Sequence, residues 1–206
     1  MKVVFDFAGV LFRWQPPAMV QRVLPQRAPD EAAARQLCEA IFEGWGGDWD
    51  AFDRGTVETA PLVARIAGRT GLPAAEVRAV IDAVPHELQP VPEMVALVEA
   101  LHAAGQPLRF LSNMPAPYAD HLESTHPFLR RFVDGVFSAR VQRVKPERAI
   151  FELAAQRFGT PLGELLFFDD VAGNVAAARE AGWAARHFVD AEGCRRELRA
   201  AGLLGM

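Results

Sequence analysis

Cysteine is scarce in this sequence: 206 residues include two, Cys38 and Cys194. They stand far apart with no metal-ligand spacing. Neither a disulfide framework nor a structural zinc site is expected, and both read as reduced thiols. Long apolar runs are missing too. None approaches the roughly 18 residues that a membrane span takes, and Asp6 breaks the apolar start of the chain too early for a secretory leader. There is no excess of positive charge. Lys and Arg number 22 against 26 Asp and Glu, and the net charge of −4 argues against a nucleic-acid surface. Internal repeats and low-complexity tracts are absent. The expectation is a cytoplasmic protein with no membrane and no nucleic-acid partner, and nothing in the pattern speaks to oligomeric state.

What remains is an ordinary globular composition, 50% apolar and 23% charged, which excludes intrinsic disorder. The length suits one core, or a core with a small accessory domain, at about 100–200 residues per domain. The chain opens with Val3-Val4-Phe5 and then Asp6-Phe7-Ala8-Gly9. An apolar run closed by glycine reads as a buried strand, and a carboxylate at its carboxyl end is costly unless it faces a partner.

From about residue 92 onward, strands and helices alternate. Met94, Leu97, Val98 and Leu101 fall at helical spacing behind Pro92, and Gly105 stops that helix. Strands are expected at Leu108–Leu111, Val133–Ser138, Leu165–Phe168 and Ala184–Phe188. The intervening helices run from about Pro117, from Pro146 to Gly159 and over 172–181, with a last charged helix at the end. This alternation predicts an α/β fold with a doubly wound parallel sheet. The segment 15–89 breaks the rhythm. It carries helical patterns but no strand, among them the stripe Val77, Val80, Ile81 and Val84 behind Pro73, and it contains Trp45 and Trp49. It reads as a small α-helical cap inserted after the first strand, over a core made of 1–14 and 90–206. Pro16-Pro17, Pro85 and Pro90 mark its edges.

Ligands of open α/β sheets bind beyond the carboxyl ends of the strands. Three predicted strands end in polar groups: Asp6, Ser112-Asn113 and Asp169-Asp170, and Lys145 precedes a helix start. Carboxylates gathered in one crevice repel unless a cation intervenes, and a hard divalent ion such as Mg²⁺ takes oxygen ligands. A hydroxyl, a lysine and helix N-terminal amides suit a phosphoryl oxygen. The set therefore predicts phosphoryl transfer on a small phosphorylated substrate, with Asp6 able to attack phosphorus.

In sequence order, Asp6 in Val4-Phe5-Asp6-Phe7-Ala8, Ser112-Asn113, Lys145-Pro146 and Asp169-Asp170 resemble the four motifs of the haloacid dehalogenase superfamily, over nearly the whole chain. The segment 15–89 resembles that family's C1 cap over a Rossmann-like core. The resemblance implies a Mg²⁺-dependent phosphatase that works through an aspartyl-phosphate on Asp6. Ser112, Asn113 and Lys145 would bind the phosphoryl group, with Lys145 also catalytic. Asp6, the main-chain carbonyl of Ala8, Asp170 and, through water, Asp169 would hold the metal, with Asn174 behind them.

Ala8 departs from the pattern. Phosphatases of the family usually carry a second Asp there as general acid and base, help worth about 10²–10⁴-fold. Three readings stand: a phosphatase of the branch with a small residue here, where sugar phosphates are substrates; a 2-haloacid dehalogenase-like hydrolase; or a weakly active or non-catalytic binding protein. His86-Glu87 reads as a hinge pair that could stand in for the acid, and Asp48, Trp49 and Asp50 could line the inner face of the cap. Gly9 reads as a turn residue and Phe7 as packing.

Overall fold

A computed structural model describes residues 1–43 and 46–205; Trp45 lies outside them. The elements run β1 (Lys2–Phe5), α1 (Pro16–Val23), α2 (Glu31–Phe42), α3 (Asp48–Asp53), α4 (Thr59–Thr70), α5 (Ala74–Glu87), α6 (Pro92–Ala103), β2 (Leu108–Ser112) and α7 (Ala116–Thr125). They continue with β3 (Phe132–Phe137), α8 (Ser138–Val141), α9 (Arg148–Arg157), β4 (Leu165–Asp169), α10 (Ala172–Glu180), β5 (Ala184–His187) and α11 (Ala191–Ala200). None of the described helices is long and apolar enough to cross a membrane.

The sheet order is β3-β2-β1-β4-β5, and every pair is parallel. This is the expected α/β doubly wound arrangement. The winding reverses between β1 and β4, the position where such sheets open a crevice at their carboxyl ends. Strand alternation divides the sheet faces. Val3, Phe5, Leu166 and Phe168 face α6 and α11, which contribute Met94, Leu97, Cys194 and Leu198. Val4, Leu165 and Phe167 face α9 and α10, which contribute Ile150, Phe151 and Val175. With helices on both sides, strands of continuous Val, Leu and Phe are what burial requires.

Helices α1–α5 separate β1 from α6, and no described residue between 15 and 89 belongs to a strand. The chain leaves and re-enters through a narrow neck. Arg13 N–H donates to the Gln89 carbonyl (2.8 Å), and Val91 N–H donates to that of Leu11 (2.9 Å). The stripe Val77, Val80, Ile81 and Val84 is buried as its spacing implies. Pro85 does not end the segment. It sits inside α5, which continues to Glu87; the Ile81 carbonyl, which has no N–H to accept from Pro85, accepts the Tyr118 hydroxyl instead (2.8 Å).

Two other boundaries differ from expectation. The helix expected at Pro146 begins at Arg148, and the Glu147 carboxylate accepts the Val144 N–H (3.3 Å) to shape the preceding loop. Ser138 leaves the strand for the short turn α8.

Gly135 in β3 has a packing reason to be glycine: a Cβ there would lie 2.1 Å from the Phe110 ring. That ring is packed against Phe7 (4.7 Å between centroids) and Phe137 (4.6 Å), so making room for a Cβ disturbs an aromatic cluster. Gly135→Ala is expected to destabilise the protein by about 1–3 kcal/mol in urea unfolding. Gly163→Ala, where a Cβ meets nothing within 4 Å, is expected to stay within about 0.5 kcal/mol.

Candidate active site

Asp6 follows β1 directly. Its N–H donates to the Phe168 carbonyl (3.0 Å), which extends the pairing with β4 by one residue and sets Asp6 level with Asp169. The chain then turns sharply: the Phe7 carbonyl accepts from the amides of Val10, Leu11 and Phe12 at 3.1, 2.8 and 2.8 Å. Gly9 lies in this turn at φ +81°, and a Cβ on it would fall 2.2 Å from an Asp170 carboxylate oxygen. Glycine is required here twice, for the backbone angle and for the close approach of Asp170. The Ala8 carbonyl, in the same turn, accepts no main-chain hydrogen bond among the described residues.

Asp6, Asp169 and Asp170 each bring a carboxylate oxygen to within 4.8 Å of the others. Lys145 reaches the cluster from the loop before α9, with Nζ 2.9 Å from Asp6 Oδ2 and 2.6 Å from Asp169 Oδ2. Lys145 and Asp169 are buried and Asp6 is almost so. Asp169 is saturated. Besides Lys145 it accepts the Val171 N–H (2.8 Å) and both contacts of the Asn174 amide (3.1 Å each). Asp6 Oδ1 accepts the Phe7 N–H (2.7 Å).

Asn113 holds the lysine loop in place. Its amide donates to the Lys145 carbonyl (2.9 Å) and its carbonyl accepts the Lys145 N–H (2.8 Å). Ser112 is fully buried beside it, its hydroxyl only 3.4 Å from the Asn113 carbonyl. The structure thus gathers Asp6, Asp169, Asp170 and Lys145 into one cluster, with Asn113 on the lysine loop and Ser112 next to it at the end of β2.

The electrostatics are those of a site that wants a cation. Burial, opposed by Lys145 and assisted by Asp169 and Asp170, raises the Asp6 carboxyl above its ordinary value. Burial and Asp169 raise Asp170 as well. The two carboxylates outweigh burial at Lys145 and hold its ammonium above the usual lysine range. Three oxygen donors with no competing soft ligand suit a hard divalent ion.

Two chambers open from this cluster toward the helices. One, about 100 Å³, is lined by Ala8, Trp14, Trp49, Asp53, Met114 and Tyr118 among others. The second, about 400 Å³, is lined by Asp50, Asp53, Lys145, Val171 and Asn174 among others. Trp49, Asp53 and Asn113 border both. Trp49 packs on Phe42 (4.6 Å) and Phe52 (5.6 Å), so it is at once core and wall. Asp50 lines the second chamber, while Asp48 turns to Arg69 (3.4 Å). His86 is exposed and meets His121 edge to face, and Glu87 pairs with Arg22. Neither His86 nor Glu87 lines the chambers.

Sequence reasoning missed Asp53, Arg54 and Ser138. Arg54 binds Asp50 (3.1 Å) and Glu147 (2.9 Å), tying α3 to the lysine loop. The Ser138 hydroxyl donates to the Asp53 carbonyl and accepts the Met114 N–H (2.8 Å). The only hint was spacing: Asp50, Asp53 and Arg54 share one helical face.

Burial and Asp50, against the pull of Lys145, push Asp53 from 3.8 to about 8. Carboxyls such as these keep their protons to higher pH when folded than when unfolded. The folded state therefore binds more protons through that window and loses stability as pH rises. In EDTA, the melting temperature is expected to fall steadily from about pH 5 to about pH 8, as differential scanning fluorimetry would measure.

The family model described as haloacid dehalogenase-like hydrolase matches residues 3–182. The sesquiterpene phosphatase astK of Aspergillus oryzae is 28% identical over 197 residues, covering 95% of this chain and 93% of its own. A HAD family enzyme of Bacteroides thetaiotaomicron, solved with magnesium and inorganic phosphate, superposes with TM-score 0.71 at 18% identity, covering 90% of this chain and 92% of its own. A dehalogenase solved with an intermediate gives TM-score 0.71 at 17% identity, covering 91% and 84% respectively.

Proposed function

Because the chain belongs to the haloacid dehalogenase-like hydrolases, we propose that it is a Mg²⁺-dependent phosphatase that cleaves a phosphate monoester of an apolar alcohol through an aspartyl-phosphate on Asp6. One observation carries this reading: Lys145 Nζ stands 2.9 Å from Asp6 within a cluster of three carboxylates. A dehalogenating carboxylate needs no such cluster, whereas a phosphoryl group brings negative charge that must be neutralised.

In this reading Asp6, Asp170 and the free Ala8 carbonyl would hold Mg²⁺, and Asp169, already saturated, would take part through water. When bound, the ion would supply positive charge against the phosphoryl oxygens and the Asp6 carboxylate. Lys145 keeps the attacking carboxylate oriented and, with Ser112, binds phosphoryl oxygens. Asn113 contributes by fixing the lysine loop and bordering the substrate chambers. Asp6 Oδ attacks phosphorus, the ester oxygen departs as alcohol, and water then cleaves the acyl phosphate.

Helices α1–α5 act as a cap (residues 15–89) that closes over the small chamber and selects the alcohol. Trp49 from the cap, with Trp14, Met114 and Tyr118 from the core, offers apolar surface with few partners for sugar hydroxyls. This supports a terpenoid leaving group over a sugar, in line with the name of the fungal relative. The unlinked, buried Cys38 and Cys194 fit a reducing, cytoplasmic setting.

Release of inorganic phosphate from p-nitrophenyl phosphate and farnesyl monophosphate is expected to require Mg²⁺ and to vanish in Asp6→Asn. Dehalogenation of 2-chloropropionate in EDTA, with no phosphate release, would sink the proposal. Trp49→Ala is expected to lower kcat/KM for farnesyl monophosphate about tenfold to a hundredfold more than for ethyl phosphate, the range set by burial of one large apolar group.

A further inference from the structure

Resting on the phosphatase reading, we propose that Asp53, reaching the site from helix α3, is the general acid and base that Ala8 cannot supply. Asp53 borders the same small chamber as Ala8 and also the chamber that holds Lys145. Attack by Asp6 is in line, so the ester oxygen leaves from the far side of phosphorus, toward the helices rather than the sheet. A proton donor is needed there.

Among the described residues lining the two chambers, Glu43, Asp50 and Asp53 carry carboxyls. Glu43 is committed to Arg69 (3.2 Å) and Asp50 to Arg54 (3.1 Å). The Asp53 carboxyl has no hydrogen bond or ion pair among the described residues, although its backbone is firmly clamped. The Ser138 hydroxyl binds its carbonyl, and Arg54 bridges to Glu147. Gly55 packs so close to Ala139 that a Cβ would meet the Ala139 carbonyl at 2.6 Å. A free carboxyl on a rigid backbone is what a positioned proton donor requires. The Tyr118 hydroxyl, the other side chain lining the small chamber with an ionisable proton, is spent on the Ile81 carbonyl (2.8 Å). Burial and Asp50 also keep Asp53 protonated near neutral pH.

The steps balance. In the first, Asp6 Oδ bonds to phosphorus, the P–O bond to the alcohol breaks, and its electron pair takes the Asp53 proton. In the second, the Asp53 carboxylate takes a proton from water as that oxygen bonds to phosphorus. The bond to Asp6 then breaks, inorganic phosphate leaves, and Asp53 is again protonated.

The leaving group provides the test. p-Nitrophenolate departs without a proton, whereas an alkoxide needs one. With Mg²⁺ present, Asp53→Asn is expected to slow single-turnover cleavage of n-decyl phosphate by about 10²–10⁴-fold. The same variant is expected to release the first equivalent of p-nitrophenolate at close to the wild-type rate and then stall, because the second step lacks its base. The acid is protonated in the fold, so asparagine replaces it nearly isosterically and the melting temperature should not drop. A p-nitrophenolate burst lost in parallel with n-decyl phosphate cleavage, or no loss on either substrate, overturns the role of Asp53 alone. A wild-type protein inactive on both phosphates overturns the phosphatase reading and this assignment with it.

Discussion

Everything at the head of the sheet depends on one ammonium group. Lys145 Nζ lies between Asp6 and Asp169, at 2.9 and 2.6 Å, with all three side chains nearly removed from solvent. Desolvating two carboxylates side by side is prohibitive without a compensating charge. The parallel pairing of β1 with β4 leaves no alternative placement, because it sets the two strand ends level. A lysine meets the requirement where arginine would not. Its compact point charge fits between two single oxygens, whereas the guanidinium fork demands a planar, bidentate partner. The composition makes the choice stand out, since the chain has only two lysines, Lys2 and Lys145, among its 22 basic residues.

That lysine does not hold itself. It lies on a loop, not a helix, and its backbone is gripped on both sides by the Asn113 amide. Asn113 is at the end of β2, next to β1, so strand order transmits the position of one end to another. Glu147, two residues on, both shapes the loop and receives Arg54 from α3. A single loop thereby couples the sheet, the buried charges and the helices above. Movement of α3 would be felt at Lys145, and through it at Asp6.

How much of this the sequence disclosed follows from how local each determinant is. Strand ends could be read because an apolar run stopping at Asp6, Ser112 or Asp169 is a local signal, and parallel topology carries all such ends to one edge. The alternation that predicted the sheet, and the stripe Val77, Val80, Ile81, Val84, are local too, and both appear in the structure. The helix expected to start at Pro146 starts two residues later because the Asn113 side chain, reached only through a tertiary contact, holds the Lys145 backbone, and the Glu147 carboxylate accepts the Val144 N–H within the loop. Asp53 stayed invisible for the same reason. Within α3 its only mark is a helical face shared with Asp50 and Arg54; docking on Ser138 and Arg54's contact with Glu147 turn it to the cleft, while Asp48 and Asp50 pair with arginines.

Ala8 makes better sense in that setting than as a simple loss. A second carboxylate in the turn after β1 would join a cluster that already has Asp6, Asp169 and Asp170 within 4.8 Å of one another and one lysine to balance them. Like charges at that range raise one another's pKa and weaken the nucleophile. An acid carried by the helical segment keeps its charge out of the cluster, and the methyl of Ala8 leaves the wall beside Trp14, Trp49 and Met114 apolar. The same substitution thus removes an acid from the sheet and prepares a surface for an apolar alcohol. Chemistry and selectivity both move to α3, where Trp49 and Asp53 lie on one short helix, so a leaving group that fits the aromatic wall is held against the one carboxyl able to protonate it.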